Sequence, residues 1–284
     1  MKITIIGAGN IGTSLATGIL RDGYIKPENI TITDISENAL FPFEKLGVKT
    51  MQNNIEAVKN ADAIVLCVKK NMVSRIVDDI KLSYKTETPL ISVAADLKLH
   101  ELESYTTGVK AHLFRAIPNT AMSVCQSMTC VAAHYKAGVA QQKKVVELFG
   151  RVGKVMFLPE SLMNSATVVA SCGTAFALRY MRAMTTAGVE TGLSPALAET
   201  LITQTLLGAA TILSESGNNP ESEIDRVTTP NGVTIKGLNE MEHAGFSSAV
   251  IKGIMAAYRK LELNEVENMG FNPAVIKGIL AAYR

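Results

Sequence analysis

The opening dozen residues limit most strongly what this chain can fold into. A β-branched run, Ile3 to Ile6, enters Gly7-Ala-Gly9-Asn-Ile-Gly12 and leaves into an apolar-periodic stretch from Leu15 to Leu20. That order reads as strand, phosphate loop, helix. Gly7 permits the tight turn, Gly9 lets the backbone approach a pyrophosphate, and Gly12 lets the helix pack closely on the strand. The free N–H groups at the helix start then face an anion. Asp34 follows a second β-branched run, Ile30 to Thr33, at the distance where a carboxylate accepts the adenine-ribose hydroxyls of a dinucleotide. The same charge repels a 2′-phosphate, and no Lys or Arg follows until Lys45, so the residues favour NADH over NADPH. The plainer alternative is that Asp34 caps the next turn.

Strand and helix alternate through the first half. Strands are expected over 3–6, 30–33, 48–50, 63–68, 90–94, 111–116, 128–132 and 155–157. Helices are expected over 11–21, 39–46, 53–60, 73–80, 101–105 and 139–149. This alternation implies a mostly parallel sheet covered on both faces. After Pro159 small and apolar residues recur at helical spacing and strands end. Ser194-Pro195 is a helix start, with Ser194 as cap and Pro195 in the first turn of a helix over 196–214. The fold class is therefore α/β, with a Rossmann-type dinucleotide-binding domain over 1–160 and an all-helical domain over 161–284. The helical half reads as core plus subunit interface.

Bulk properties narrow the partners. A formal charge of +2 over 284 residues points to neither nucleic acid nor an anionic membrane surface. No apolar stretch reads as long enough to span a bilayer, and the chain opens directly on strand one, so a cytoplasmic protein is expected. Cys67, Cys125, Cys130 and Cys172 have no C-x-x-C spacing and form no metal pattern with the four histidines. Cys67 reads as a core thiol.

In an open α/β sheet, ligands lie at the carboxyl ends of the strands. Val68-Lys69-Lys70, Ala94-Ala95-Asp96 and Pro118-Asn119-Thr120 stand at such ends. Either lysine lines the crevice or belongs to a solvated loop. Pro230-Asn231-Gly232 makes a turn before a helix with Ile235, Leu238 and Met241 on one face. The N–H groups of Gly232, Val233 and Thr234 offer an anion pocket there. Thr234 either caps that helix, the commoner use of such a residue, or donates to a substrate.

From Met1 to about Lys260 the chain resembles the pyrroline-5-carboxylate reductases, which make proline. The resemblance rests on Gly7-Ala-Gly-Asn-Ile11, Ala63-Ile-Val-Leu-Cys-Val-Lys69, Ile91-Ser-Val-Ala-Ala95, Arg115-Ala-Ile-Pro-Asn-Thr120, Glu160-Ser-Leu-Met163, Gln204-Thr-Leu-Leu-Gly-Ala-Ala210 and, above all, Val227-Thr-Thr-Pro-Asn-Gly-Val-Thr-Ile235. It implies hydride transfer from NAD(P)H to the C=N carbon of 1-pyrroline-5-carboxylate. It also implies a helical domain that dimerises by interlacing, in some members with dimers assembled into decamers. Carried onto this chain, Gly7, Gly9, Asn10, Ile11, Gly12 and Asp34 hold the cofactor, as do Val68, Lys69, Ala94, Ala95, Pro118 and Asn119. Asn231, Gly232, Val233 and Thr234 hold the substrate. Thr234 is the catalytic residue, bonding the ring nitrogen, and no metal is required.

Several positions depart from the family pattern. Lys70 stands for proline, Asp96 for glycine, Asn231 for glycine and Cys172-Gly-Thr-Ala175 for Ser-Gly-Pro-Ala. Ala121, Cys125 and Ser127 replace the usual proline and glycines, and Arg182 replaces an acidic residue. These changes leave two alternatives: a reductase of another cyclic imine or small carbonyl acid, and a cofactor-binding paralogue without turnover. The segment from Gly245 to Arg259 recurs from Gly270 to Arg284 with three differences in fifteen positions. The tail over 261–284 is expected to be an appended amphipathic helix without chemistry.

Overall fold

The computed structural model describes residues 1–268. The second copy of the terminal repeat, 270–284, lies outside the described residues.

Eight strands form one sheet: β1 (Ile3–Ile6), β2 (Ile30–Thr33), β3 (Lys49–Met51), β4 (Ala63–Leu66), β5 (Pro89–Ser92), β6 (His112–Ile117), β7 (Ser127–Ala133) and β8 (Gly153–Phe157). Their order is β3-β2-β1-β4-β5-β6-β7-β8, and every neighbouring pair is parallel except β6 and β7. The helices between strands are α1 (Asn10–Asp22), α2 (Glu37–Glu44), α3 (Asn54–Val58), α4 (Lys70–Ile80), α5 (Leu99–Tyr105) and α6 (Val139–Gly150). The chain leaves β1 for β2 and β3 on one side and returns to β4 on the other. The crevice above β1 and β4 is therefore the topological switch point, where open α/β sheets bind ligands.

The core divides by the two-residue period of a strand. Ile3 and Ile5 of β1, Ile30 and Ile32 of β2, Val65 of β4 and Phe114 of β6 share one cluster with Leu15, Ala16 and Ile19 of α1 and Leu148 and Phe149 of α6. Ile6, Ile64, Leu66 and Leu113 fill the opposite cluster with Val73 and Val77 of α4 and Leu102 of α5. Burial on both faces is why these strands read as continuous apolar runs.

The remaining helices are α7 (Met163–Ala166), α8 (Gly173–Glu190), α9 (Pro195–Ser216), α10 (Pro220–Arg226), α11 (Val233–His243) and α12 (Phe246–Asn268). Residues Thr167–Cys172 form a π-helical turn between α7 and α8. Ser194 caps α9 as expected, its Oγ accepting from the Leu197 N–H at 3.4 Å, and Pro195 is the first helical residue.

Two compact units result. Among the described residues, one is Met1–Thr174 with 258–268, and the other is Ala175–Ala257. The composition changes near residue 160, but the first unit runs on to Thr174. The reason is packing: Met163 and Val168 are fully buried, and Met163, Ala166 and Ala170 pack on the apolar cluster beneath α4 and α5.

The expectation that no segment is long enough for a bilayer is corrected. The helical runs Glu160–Glu190 and Pro195–Ser216, 31 and 22 residues, are long and apolar enough by length and composition. Scattered Thr, Ser and Gly mask this in the sequence, because they dilute each local apolar run without adding charge. Only 17% and 11% of their most apolar windows are buried within the chain, so both helices leave apolar faces open.

Candidate cofactor and substrate site

The glycine loop is built by backbone groups that meet without room for side chains. Gly7 has φ of +103°, and a Cβ there would lie 2.5 Å from the Cys67 carbonyl oxygen. A Cβ on Gly12 would overlap the Gly7 carbonyl oxygen. Gly9 is different. It is the extended N-cap of α1, and a Cβ there meets nothing within 4 Å, so the loop faces open space at that point. No side chain caps α1, and the first N–H to find a helical partner belongs to Thr13, bonded to the Gly9 carbonyl at 2.8 Å. The N–H groups of Asn10, Ile11 and Gly12 precede it, at the positive end of the helix dipole. Donors, open approach and glycine geometry fit a dinucleotide pyrophosphate. Burial raises the Cys67 thiol pKa to about 12, so beneath this loop it is packing and not a nucleophile.

Asp34 braces the same loop. Its Oδ2 accepts the Ala8 N–H at 2.8 Å and its Oδ1 accepts the Ser36 N–H at 2.9 Å. The carboxylate thus caps its own turn and fastens it to the glycine loop, while both oxygens retain further acceptor capacity. Lys45, the first cation after it, has its ammonium 4.3 Å from the centre of the Phe41 ring.

The two lysines after β4 separate in role. Lys69 is the exposed N-cap of α4, while Lys70 is the first helical residue. Lys70 Nζ pairs with Glu101 Oε1 at 2.7 Å and donates to the Asp96 carbonyl at 3.1 Å. Partial burial opposes ionisation of Glu101, but Lys70 and the Lys98 N–H outweigh it and hold the carboxyl below its usual range. A cleft of about 650 Å³ opens between residues 69–71 and 94–96, at the carboxyl ends of β4 and β5. Val68, Ala94 and Ala95 stand at this edge, as the sequence placed them.

Pro118 and Asn119 directly follow β6. Both polar atoms of the Asn119 side chain bond the protein: Oδ1 accepts the Ala121 N–H at 3.1 Å, and Nδ2 donates to the Ala170 carbonyl in the π-helical turn at 3.0 Å. Its own N–H donates to Ser127 Oγ at 3.2 Å. The sequence did not reveal this tie. Nor did it reveal the grouping of Arg115, Glu160 and Asn164, although an arginine inside the apolar strand β6 was a visible signal.

In the second unit, Asn231 adopts φ of +58°, the left-handed conformation its turn requires. Gly232 is the N-cap of α11, and its N–H bonds the Thr229 carbonyl at 2.9 Å. This corrects the reading of Thr234 as a cap, because the helix begins at Val233 and Thr234 lies inside its first turn. Glycine can supply the extended cap conformation without a side chain, which leaves the threonine free of that duty. Val233 is 89% exposed, Thr234 is exposed, and among the described residues the Thr234 hydroxyl makes no hydrogen bond. Among the described residues no group of three or more His, Cys, Asp and Glu is placed to hold a metal.

Fold and loop chemistry define a dinucleotide-binding protein of the doubly wound class. Residues 160–264 match the family model for pyrroline-5-carboxylate reductase dimerisation, and residues 2–96 match that for NADP oxidoreductase, coenzyme F420-dependent. Pyrroline-5-carboxylate reductase 2 of Dictyostelium discoideum is 37% identical over 273 residues, covering 91% of each chain. The reductase of Methanosarcina acetivorans is 33% identical over 258 residues, covering 90% of this chain and 95% of that one. The crystal structure of Plasmodium falciparum pyrroline carboxylate reductase with NADP bound superposes with a TM-score of 0.84 at 26% identity, over 93% of this chain and 98% of that one. The Coxiella burnetii reductase gives 0.83 at 29% identity, with the same coverage. The chain belongs to the pyrroline-5-carboxylate reductase family. Its first unit is an NAD(P)H-binding Rossmann domain, and its helical region is the family's dimerisation domain.

Gly12→Ala tests the loop. A methyl group driven into the Gly7 carbonyl must displace α1, at a cost of about 1–3 kcal/mol or more. Dinucleotide affinity, measured by fluorescence titration, is expected to weaken by about tenfold or more. Unchanged affinity would remove this loop from the cofactor site.

Proposed function

We propose that the protein reduces the C=N bond of 1-pyrroline-5-carboxylate to give L-proline, the last step of proline biosynthesis. The observation that carries this reading is end-to-end similarity to reductases of that name, joined to an intact glycine loop and an uncapped α11 N-terminus. In this reading Gly7, Gly9, Asn10, Ile11, Gly12 and Asp34 hold the pyrophosphate and adenosine end of the cofactor. Val68, Lys69, Ala94, Ala95, Pro118 and Asn119 line its other end, with Asn119 contributing backbone, since its side chain is committed. When bound, the reduced nicotinamide supplies a hydride to the imine carbon.

The helical region from about residue 161 supplies the substrate side. Asn231 shapes the turn and Gly232 caps α11, its own N–H spent on the Thr229 carbonyl, so of the three expected donors it is the N–H groups of Val233 and Thr234 that hold the substrate carboxylate at the start of that helix. Thr234 Oγ1 bonds the ring nitrogen, which carries a proton in the reactive imine and keeps it in the amine product. Holding a small imine in place contributes most of the rate, so no strong acid and no metal is needed.

Asp34 supports NADH, because its carboxylate opposes a 2′-phosphate and no Lys or Arg follows it in sequence until Lys45. The match to the family's dimerisation domain supports burial of the apolar faces of α8 and α9 against a second copy of the chain, in a cytoplasmic dimer or a decamer of dimers, over insertion in lipid. Asp96 beside the cleft favours a second reading, a reductase of another cyclic imine or small carbonyl acid.

Initial rates of NADH and NADPH oxidation with 1-pyrroline-5-carboxylate test the main reading. Fast oxidation, with NADH at least as good as NADPH, is the expected outcome. Turnover only with another imine or oxo acid would establish the second reading. Thr234→Ala is expected to lower kcat about 10- to 100-fold, the worth of a hydrogen bond to a charged group, with cofactor affinity nearly unchanged. An unaltered rate would strip Thr234 of its catalytic role. Sedimentation without detergent is expected to show a dimer or a multiple of it, and a detergent-dependent species would refute the soluble assembly.

A further inference from the structure

We infer that Arg115, held by Glu160, is a positioning residue for hydride transfer, one that fixes the turn carrying Ala94 and Ala95. The inference rests on the reductase reading. Arg115 lies on β6 between Phe114 and Ala116 with 2% of its surface exposed, the largest fully buried side chain among the described residues. A buried guanidinium gives up its hydration, so its partners show what it is there to hold. Its Nη2 donates to the Ala95 carbonyl and, at 3.4 Å, to Asn164 Oδ1. Its Nη1 lies 3.6 Å from Glu160 Oε1.

Glu160 Oε1 also accepts the Leu99 N–H at 2.6 Å, at the start of α5. The loop from β5 to α5 is therefore gripped at Ala95 by Arg115 and at Leu99 by the carboxylate that pairs with Arg115. Lys70 grips it a third time, at the Asp96 carbonyl. The alanine side chains have no polar group to anchor the turn; local bonds close it, the Ala94 N–H to Ser92 Oγ and the Leu97 N–H to the Ala94 carbonyl, both at 3.3 Å, and the outside groups tie it to β6, to α4 and to the segment after β8. The planar fork of arginine suits this task, because its N–H groups stand in a fixed geometry that holds the Ala95 carbonyl and the Glu160 carboxylate in set directions, whereas the donors of a lysine ammonium rotate about its flexible stem. An apolar residue would fill this place in the sheet without losing hydration. What Arg115 adds is the direction of the loop that lines the cleft at the carboxyl ends of β4 and β5, where the reading puts the cofactor.

The test uses the full-length enzyme and begins with wild-type turnover of 1-pyrroline-5-carboxylate. A wild type that binds NADH but does not reduce the imine overturns the reductase reading and this inference with it. Given an active wild type, Glu160→Gln keeps an oxygen for the Leu99 N–H and removes the charge facing Arg115. We expect kcat to fall about 10- to 100-fold, as for a misplaced reacting pair. The NADH dissociation constant should stay within about threefold, and the deuterium isotope effect from 4-deuterated NADH should rise as hydride transfer becomes limiting. Arg115→Lys should act in the same direction, and the double variant should be no slower than Arg115→Lys alone, because both act through one turn. A lowered melting temperature with kcat and isotope effect unchanged would overturn the inference, leaving a structural ion pair. Additive losses, or a loss of cofactor affinity equal to the loss of rate, would also overturn it. If Arg115→Lys does not fold, Glu160→Gln decides the matter alone.

Discussion

The structure depends on a close approach of backbone to backbone. The first turn of α1 lies against the ends of β1 and β4 so tightly that Gly12 has the Gly7 carbonyl where a side chain would stand, and Gly7 has the Cys67 carbonyl. The Gly7 N–H reaches across to the Thr33 carbonyl at 2.8 Å, and the Thr13 hydroxyl donates to the Ala8 carbonyl at 2.9 Å. Asp34 closes the set through the Ala8 N–H. Three strands and a helix thus meet at one point through these bonds, and among the described residues the row of N–H groups at the start of α1 has no partner. An anion is the complement of such a row, both through hydrogen bonds and through the helix dipole.

Away from that point the sheet is an apolar partition, and its polar members stand out. Thr4 donates to the Ala57 carbonyl at 2.7 Å, and Thr33 to Asn54 Oδ1 at 2.6 Å. Buried hydroxyls of this kind replace lost hydration at small net gain. At the carboxyl edge the polar side chains are larger: Lys70 bonds Glu101, Arg115 pairs with Glu160, and Asn119 bonds the Ala170 carbonyl. They bind the loops of the edge to one another and to the segment after β8. Catalysis by orientation needs such loops to be stiff, because the effective concentration of reactants falls steeply with misplacement.

The helical unit follows a different logic. Its helices bury few residues within the chain, and Phe176, Leu178, Leu201 and Leu207 remain exposed. Lipid and a second subunit are alternative covers for such a surface, and length and composition alone do not separate them. The family's dimerisation domain over 160–264 favours the subunit. An obligate partner also explains why little of this unit's apolar surface is covered by its own chain.

Local order was legible because its causes are local. The β-branched runs, the glycine spacing, the Ser194-Pro195 start and the left-handed Asn231 each depend on a few adjacent residues, and all stand where their chemistry requires. Element ends moved by one to three residues. β4 stops at Leu66, and the Cys67 N–H still bonds Ile6 before the chain turns into α4. The cap of α11 fell to Gly232, freeing Thr234. By itself, then, the sequence determined a doubly wound sheet with a dinucleotide loop, followed by helices. Only the tertiary structure decided what Asp34, Lys70, Arg115 and Asn119 hold, because each bonds a group 20 or more residues away. Periodicity carries no information about such partners. They are chosen when packing excludes water and every buried polar group must find a mate.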